Sequence, residues 1–99
     1  MNELDNYRKE IDTIDKELIA LFEKRMDISA KVGDYKKKNS LPIFNEKREE
    51  EVIEKNIIKL NNKNYSSLAQ SFFKNIMELS RLLQEDIIKE DKNYNKNMY

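Results

Sequence analysis

An all-α fold is predicted for this chain, and three features of the sequence predict it. One Gly and one Pro occur in 99 residues, whereas the turns of sheet proteins consume both. Apolar residues recur at steps of three and four from residue 4 to residue 35. Polar or proline punctuation then divides the remainder into two further apolar-periodic segments.

The first element is the longest. Leu4, Tyr7, Ile11, Ile14, Leu18, Leu21, Ile28, Val32 and Tyr35 keep a seven-residue repeat, with Arg25 in the slot between Leu21 and Ile28. Pro42 disfavours helical geometry at Leu41, so this helix is expected to end near Asn39 or Ser40. A helix of about 36 residues is about 54 Å long at 1.5 Å per residue. Two short helices cannot cover such a stripe, and a second copy of the chain is its natural partner. The expectation is three helices per chain in an intertwined antiparallel homodimer.

Asn45 followed by Glu46 reads as an N-cap with acid in the first turn. A second helix is expected from there to about Leu60, with Val52, Ile53, Ile57 and Leu60 inward. The run Asn61, Asn62, Lys63, Asn64 reads as a loop. Ser66 or Ser67 caps a third helix whose apolar side includes Leu68, Phe72, Ile76, Leu79, Leu83 and Ile87, with Phe73 and Met77 beside it. Residues 1–90 are therefore expected to form one domain, and residues 91–99 a frayed tail.

Composition excludes much chemistry. With no Cys and no His, there are no disulfides, thiolate nucleophiles, His general bases or Cys/His metal sites. The 19 basic and 19 acidic residues balance, which gives no support for nucleic acid or an anionic membrane as partner. The polar N-terminus and the lack of a long apolar run lead to the expectation of a soluble cytoplasmic protein.

A few cations can still converge locally. Arg25 occupies a core-facing slot of the repeat; it is either a register-setting or ion-paired residue, or part of an anion site. Lys36 lies eleven residues on, about 20° of rotation and about 16 Å of rise away, so both point the same way. As one of three consecutive lysines it also reads as a solvated surface residue. Arg8 is about 25 Å from Arg25 on the same rod. Antiparallel pairing about residue 21 or 22 would bring it alongside residue 35 of a second chain. On the third helix Phe73, Met77, Ser80 and Gln84 share a face. There a hydroxyl and an amide either satisfy one another or hydrogen-bond a ligand. Arg48 and Glu49 open the second helix as a surface ion pair or as part of a site.

The segments YRKEIDTIDKELIALFEKRMDISAKVGDYKKKN, LPIFNEKREEEVI and MELSRLLQ together resemble the all-helical class of chorismate mutases. The resemblance covers residues 4 to 88. It implies three helices per chain, a dimer intertwined along the first helix, and two shared sites. It also implies roles. Arg8 would reach from the partner chain to a substrate carboxylate, and Arg25 would bind a carboxylate within its own chain. Lys36 would contact a carboxylate and the ether oxygen of the breaking bond, and Gln84 would hydrogen-bond the same oxygen. Glu49 would accept from the ring hydroxyl, Ser80 would bind the ring carboxylate, and Arg48 would complete the charged wall. Asn45 departs from the Asp often found there.

The implied activity is the rearrangement of chorismate to prephenate in aromatic amino-acid biosynthesis. Neither cofactor nor metal is implied, because a Claisen rearrangement transfers no proton and needs no nucleophile. Two alternatives stand beside it. An isochorismate-pyruvate lyase shares the fold and similar arginines, although VGDYK, the Arg48–Glu49 pair and Ser80 favour the mutase. A non-catalytic helical dimerisation or regulatory module would explain the heptad. It would not explain Arg25 in a core slot or Ser80 and Gln84 on a core-adjacent face.

Overall fold

A computed structural model describes residues 2–98, with side chains described for residues 2–89. The order of elements is α1 (Glu3–Lys38), α2 (Glu46–Ile57), a 3-10 turn (Lys63–Tyr65) and α3 (Ser66–Met98). The fold is all-helical, with a long first helix. The expected fraying from Asp91 onward concerns residues whose side chains lie outside the described ones. Among the described residues no helix is long and apolar enough to cross a membrane.

Both ends of α1 follow from local chemistry. The Asn2 side chain accepts from the Asp5 N–H at 2.9 Å, while Glu3 and Asp5 sit at the positive end of the helix dipole and Lys36, Lys37 and Lys38 at the negative end. At the C-terminus the Leu41 N–H reaches back to the Lys36 carbonyl at 2.8 Å, and the Ser40 N–H reaches Lys37 at 3.3 Å. This is a Schellman stop, with Pro42 directly behind it. Its pivot is Ser40 at φ 53°, a left-handed conformation that Gly normally supplies.

α2 starts where Asn45 accepts from the Arg48 N–H at 3.1 Å. It ends at Ile57 rather than Leu60. Lys59 and Leu60 turn back through i to i−3 hydrogen bonds, and Lys63 Nζ donates to the carbonyls of Ile57 and Ile58 at 3.2 and 2.9 Å. The run Asn61–Asn64 is partly ordered as well: Asn62 caps the 3-10 turn, and Ser66 Oγ bonds the Lys63 carbonyl as α3 begins.

α1 presents two faces. Phe22, Met26, Ser29, Ala30 and Gly33 turn toward the chain's own α3, whereas all nine apolar residues of the predicted repeat are exposed in the single chain. Arg25 lies between the faces and is half-buried. The inward side of α3 is Phe73, Ile76, Met77, Ser80, Leu83, Gln84 and Ile87. Leu68, Phe72 and Leu79, expected on that side, are exposed, because α3 rotates its Met77–Ser80–Gln84 edge toward α1. Among the described residues only Val52 and Met77 are buried apolar side chains, so little of the described residues' apolar surface is covered within the chain.

α1 and α3 approach closely at Gly33. A Cβ added there would lie 2.9 Å from Gln84 Cγ and 3.3 Å from Gln84 Cβ, inside contact distance, so only Gly fits the crossing as built. The tight contact sets α3 against the half of α1 that carries Arg25, Ser29 and Lys36.

The left-handed Ser40 generates a prediction. Replacing Ser40 by Gly removes a left-handed penalty of about 1–2 kcal/mol and adds back part of it as chain entropy. Ser40→Gly is expected to raise stability by about 0.5–1 kcal/mol in denaturant titrations at fixed protein concentration. A variant less stable than the parent would contradict the Schellman assignment.

Candidate active site

Three elements enclose a cavity of about 510 Å³. α1 supplies Arg25, Ser29 and Lys36, the first turns of α2 supply Arg48, Glu49 and Val52, and α3 supplies Met77, Ser80, Arg81 and Gln84. Ile43 and the cap residue Asn45 close it from the α1–α2 loop. Leu21, Ile28 and Val32 belong both to the cavity wall and to the exposed stripe of α1. One side of the cavity is therefore continuous with that stripe.

Of the eight residues expected to form a site, Arg25, Lys36, Asn45, Arg48, Glu49, Ser80 and Gln84 line this one cavity, and Arg8 does not. Arg8 is exposed near the far end of α1. Arg25 and Lys36 both line the cavity from one helix. Phe73, expected to share the face of Met77, Ser80 and Gln84, is not part of the lining.

The lining is electrostatically lopsided. It contains Lys24, Arg25, Lys36, Arg48 and Arg81 against one carboxylate, that of Glu49. Burial, and then the charge of Arg48, push the Arg25 pKa below the usual guanidinium value. Half-buried Arg25 and exposed Arg48 thus face the same cavity, and among the described residues no carboxylate pairs with either. An anion entering there would relieve that repulsion.

Neutral contacts fix the cations in place. Arg25 Nη1 donates to Ser80 Oγ at 2.9 Å, which pins the guanidinium to α3. Lys36 Nζ donates to the Ile43 carbonyl at 2.7 Å, which leaves two ammonium hydrogens. Glu49 does not pair with its neighbour Arg48. Both of its oxygens accept from Arg81 Nη1.

Gln84 is buried and committed. Its Nε2 donates to the Ser29 carbonyl at 3.2 Å and to Ser29 Oγ at 3.1 Å, while Oε1 is buried without a hydrogen-bond partner. A buried polar atom left unpaired costs about 1–3 kcal/mol. The amide thus has a wall partner in Ser29 and an orphaned end in a cavity-lining side chain.

Three residues of this arrangement carry no role in the sequence analysis. Ser29 holds Gln84, Gly33 makes room for it, and Arg81 holds Glu49. Gly33 left a signal, since a lone Gly inside an otherwise regular helix points to close packing. Ser29 lies four residues before it, on the same face. Arg81 had none beyond its place next to Ser80.

Residues 7–85 match the family model described as chorismate mutase type II. A bifunctional chorismate mutase/prephenate dehydratase of Aquifex aeolicus is 41% identical over 68 residues, 69% of this chain and 18% of that protein. The T-protein of Haemophilus influenzae is 45% identical over 49 residues, 50% of this chain and 13% of that protein. A second bifunctional chorismate mutase/prephenate dehydratase, from Buchnera aphidicola, is 35% identical over 89 residues, 88% of this chain and 23% of that protein. The chain thus spans less than a quarter of the length of each of these relatives. With a match that runs from the start of α1 to the Gln84 turn of α3, the chain belongs to the chorismate mutase type II family.

Proposed function

We propose that the chain catalyses the rearrangement of chorismate to prephenate, in a homodimer whose two sites each draw on both chains. The observation that carries this is the convergence of Arg25, Lys36 and Arg48 from two helices on one cavity. Among the described residues its only acid, Glu49, is already paired with Arg81. Such a cavity suits a small dicarboxylate.

The reaction needs no more than this. One C–O bond breaks and one C–C bond forms in a single pericyclic step, so no nucleophile is consumed and no proton moves. The site has two tasks. It holds the diaxial, chair-like conformer, in which the reacting ends are close, and it stabilises negative charge growing on the ether oxygen. Arg25 and Ser80 are joined by a hydrogen bond, and they anchor the carboxylates with Arg48. Lys36, held by the Ile43 carbonyl, places its remaining ammonium hydrogens toward the ether oxygen. Glu49 keeps lone pairs for the ring hydroxyl. Asn45 already spends its side-chain oxygen on the α2 cap, so its part in the site is to fix the start of α2.

Gln84 donates to the ether oxygen once its amide turns over. Ser29 Oγ then donates to Oε1 where it formerly accepted from Nε2, a change of role open to a hydroxyl. The turn gives the orphaned Oε1 a partner, and Nε2 gives up its bonds to the Ser29 carbonyl and hydroxyl for one to the substrate. Removing one donor of this kind commonly costs about 3 kcal/mol of barrier.

Arg8 completes the site in trans. The exposed α1 stripe gives a second copy a surface to cover, and antiparallel pairing about residues 21 and 22 puts Arg8 beside Tyr35 of the other chain. Leu21, Ile28 and Val32 shape the cavity on that side, which is where such an arginine would enter. The substrate is soluble, and the assembly is expected in the cytoplasm without nucleic acid or membrane as partner.

Purified protein is expected to remove chorismate absorbance and to yield prephenate as the sole product. Release of pyruvate from isochorismate instead would assign the lyase, and conversion of neither would leave a non-catalytic module. Gln84→Glu sharpens the mechanism. An ionised glutamate offers only acceptors and repels the developing charge, whereas a protonated one donates again. Activity of this variant is expected to rise as pH falls through its carboxyl pKa, while the parent, with no His to titrate, changes less. A folded Gln84→Glu protein as active as the parent at pH 8 would remove Gln84 from the ether oxygen.

A further inference from the structure

Glu49 is the one carboxylate among the described residues that line the large cavity, and a dianion entering there meets it. Arg81 Nη1 donates to both of its oxygens. The Arg81 guanidinium carbon sits 5.0 Å from the centroid of the Phe44 ring, within cation–π range. Both side chains are largely covered, at 29% and 22% exposure. They also line a second cavity of about 350 Å³ together with Phe44. The ion pair is thus part of the partition between the two cavities.

The geometry points to Arg81 as a positioning residue for the reaction proposed above. It neutralises Glu49, so that a dianion is admitted, and it holds that carboxylate in one orientation, with lone pairs left for a substrate hydroxyl. This inference rests on the proposed function and deepens it.

The physical case has two parts. A carboxylate has about four lone-pair sites, and Arg81 occupies two. Without Arg81 the same group would face two incoming carboxylates as an uncompensated like charge. The bond to Glu49 is also the largest cause raising the Arg81 pKa above its ordinary value, so the guanidinium stays charged in any working range. The α1–α2 loop braces both ends of this arrangement. Phe44 carries the Arg81 guanidinium, and the preceding Ile43 carbonyl carries the Lys36 ammonium. A displaced Phe44 would thus loosen the acceptor and the cation together.

The test is a mutant cycle read in steady-state kinetics on chorismate. Arg81→Met keeps an unbranched stem over Phe44 and removes the charge. Its KM is expected to rise about tenfold, with kcat changing by less than about threefold, because the damage falls on admission of the dianion. In a Glu49→Gln background the same Arg81→Met change is expected to move KM by less than about twofold. Arg81→Lys restores charge without the planar fork and is expected to fall between the parent and Arg81→Met. A purely structural role for Arg81 would lower the thermal midpoint in both backgrounds and would not couple to Glu49 in KM. An equal KM rise in both backgrounds, no rise in either, or an Arg81→Lys protein as impaired as Arg81→Met would overturn the inference. Parent protein that leaves chorismate untouched would overturn the proposed function itself, and that assay is read before any variant is made.

Discussion

Everything in the site depends on how closely α3 approaches α1 at Gly33. The missing side chain lets Gln84 lie against the α1 backbone, near enough for its amide to reach Ser29. One turn earlier on α3, Ser80 then meets Arg25. A wider crossing would break both contacts and open the cavity between them. The small residue at the crossing therefore has a chemical consequence as well as a packing one: it sets the distance between the cations of α1 and the neutral donors of α3.

The charges of the cavity are unbalanced. Burial, and then the charge of Arg48, lower the pKa of Arg25, and among the described residues no acid pairs with either arginine. A protein shaped only for stability would place a carboxylate there, or no charge at all. The one acid present, Glu49, is instead committed to Arg81. The same imbalance appears in Gln84, whose buried Oε1 has no partner. Unrelieved like charges and an orphaned acceptor lining one cavity are features that stability alone does not explain.

How much of this was legible in the sequence differs from element to element. The length of α1 and its C-terminal limit were open to view because the heptad and Pro42 act locally, whereas the Asn2 cap came only from the structure. Of the seven expected residues that line the cavity, helical spacing aligns Arg25 with Lys36 and Ser80 with Gln84, and Asn45, Arg48 and Glu49 cluster at the start of α2. The face that α1 turns to its own α3 was hidden: Ser29, Ala30 and Gly33 are small, and an apolar-periodicity argument weighs them at almost nothing. For the same reason Leu68, Phe72 and Leu79 looked inward on pattern and are exposed in the single chain. The Arg81–Glu49 pair was hidden because it joins residues 32 positions apart on separate helices, and no local rule selects Arg81 over Arg48 as the partner. The direction of the Gln84 amide was equally out of reach, since it is decided by a hydroxyl on another helix.

The central claim is that one cavity holds a dianion between Arg25 and Lys36 of one chain and Arg8 of a second. A crystal structure with an oxabicyclic dicarboxylate shaped like the chair transition state tests it directly. The expected result is one ligand per chain, with its ether oxygen within hydrogen-bond distance of Lys36 Nζ and Gln84 Nε2, and Arg8 of the partner subunit on a carboxylate. A ligand bound elsewhere, or bound in this cavity by one chain alone with Arg8 left in solvent, would contradict it.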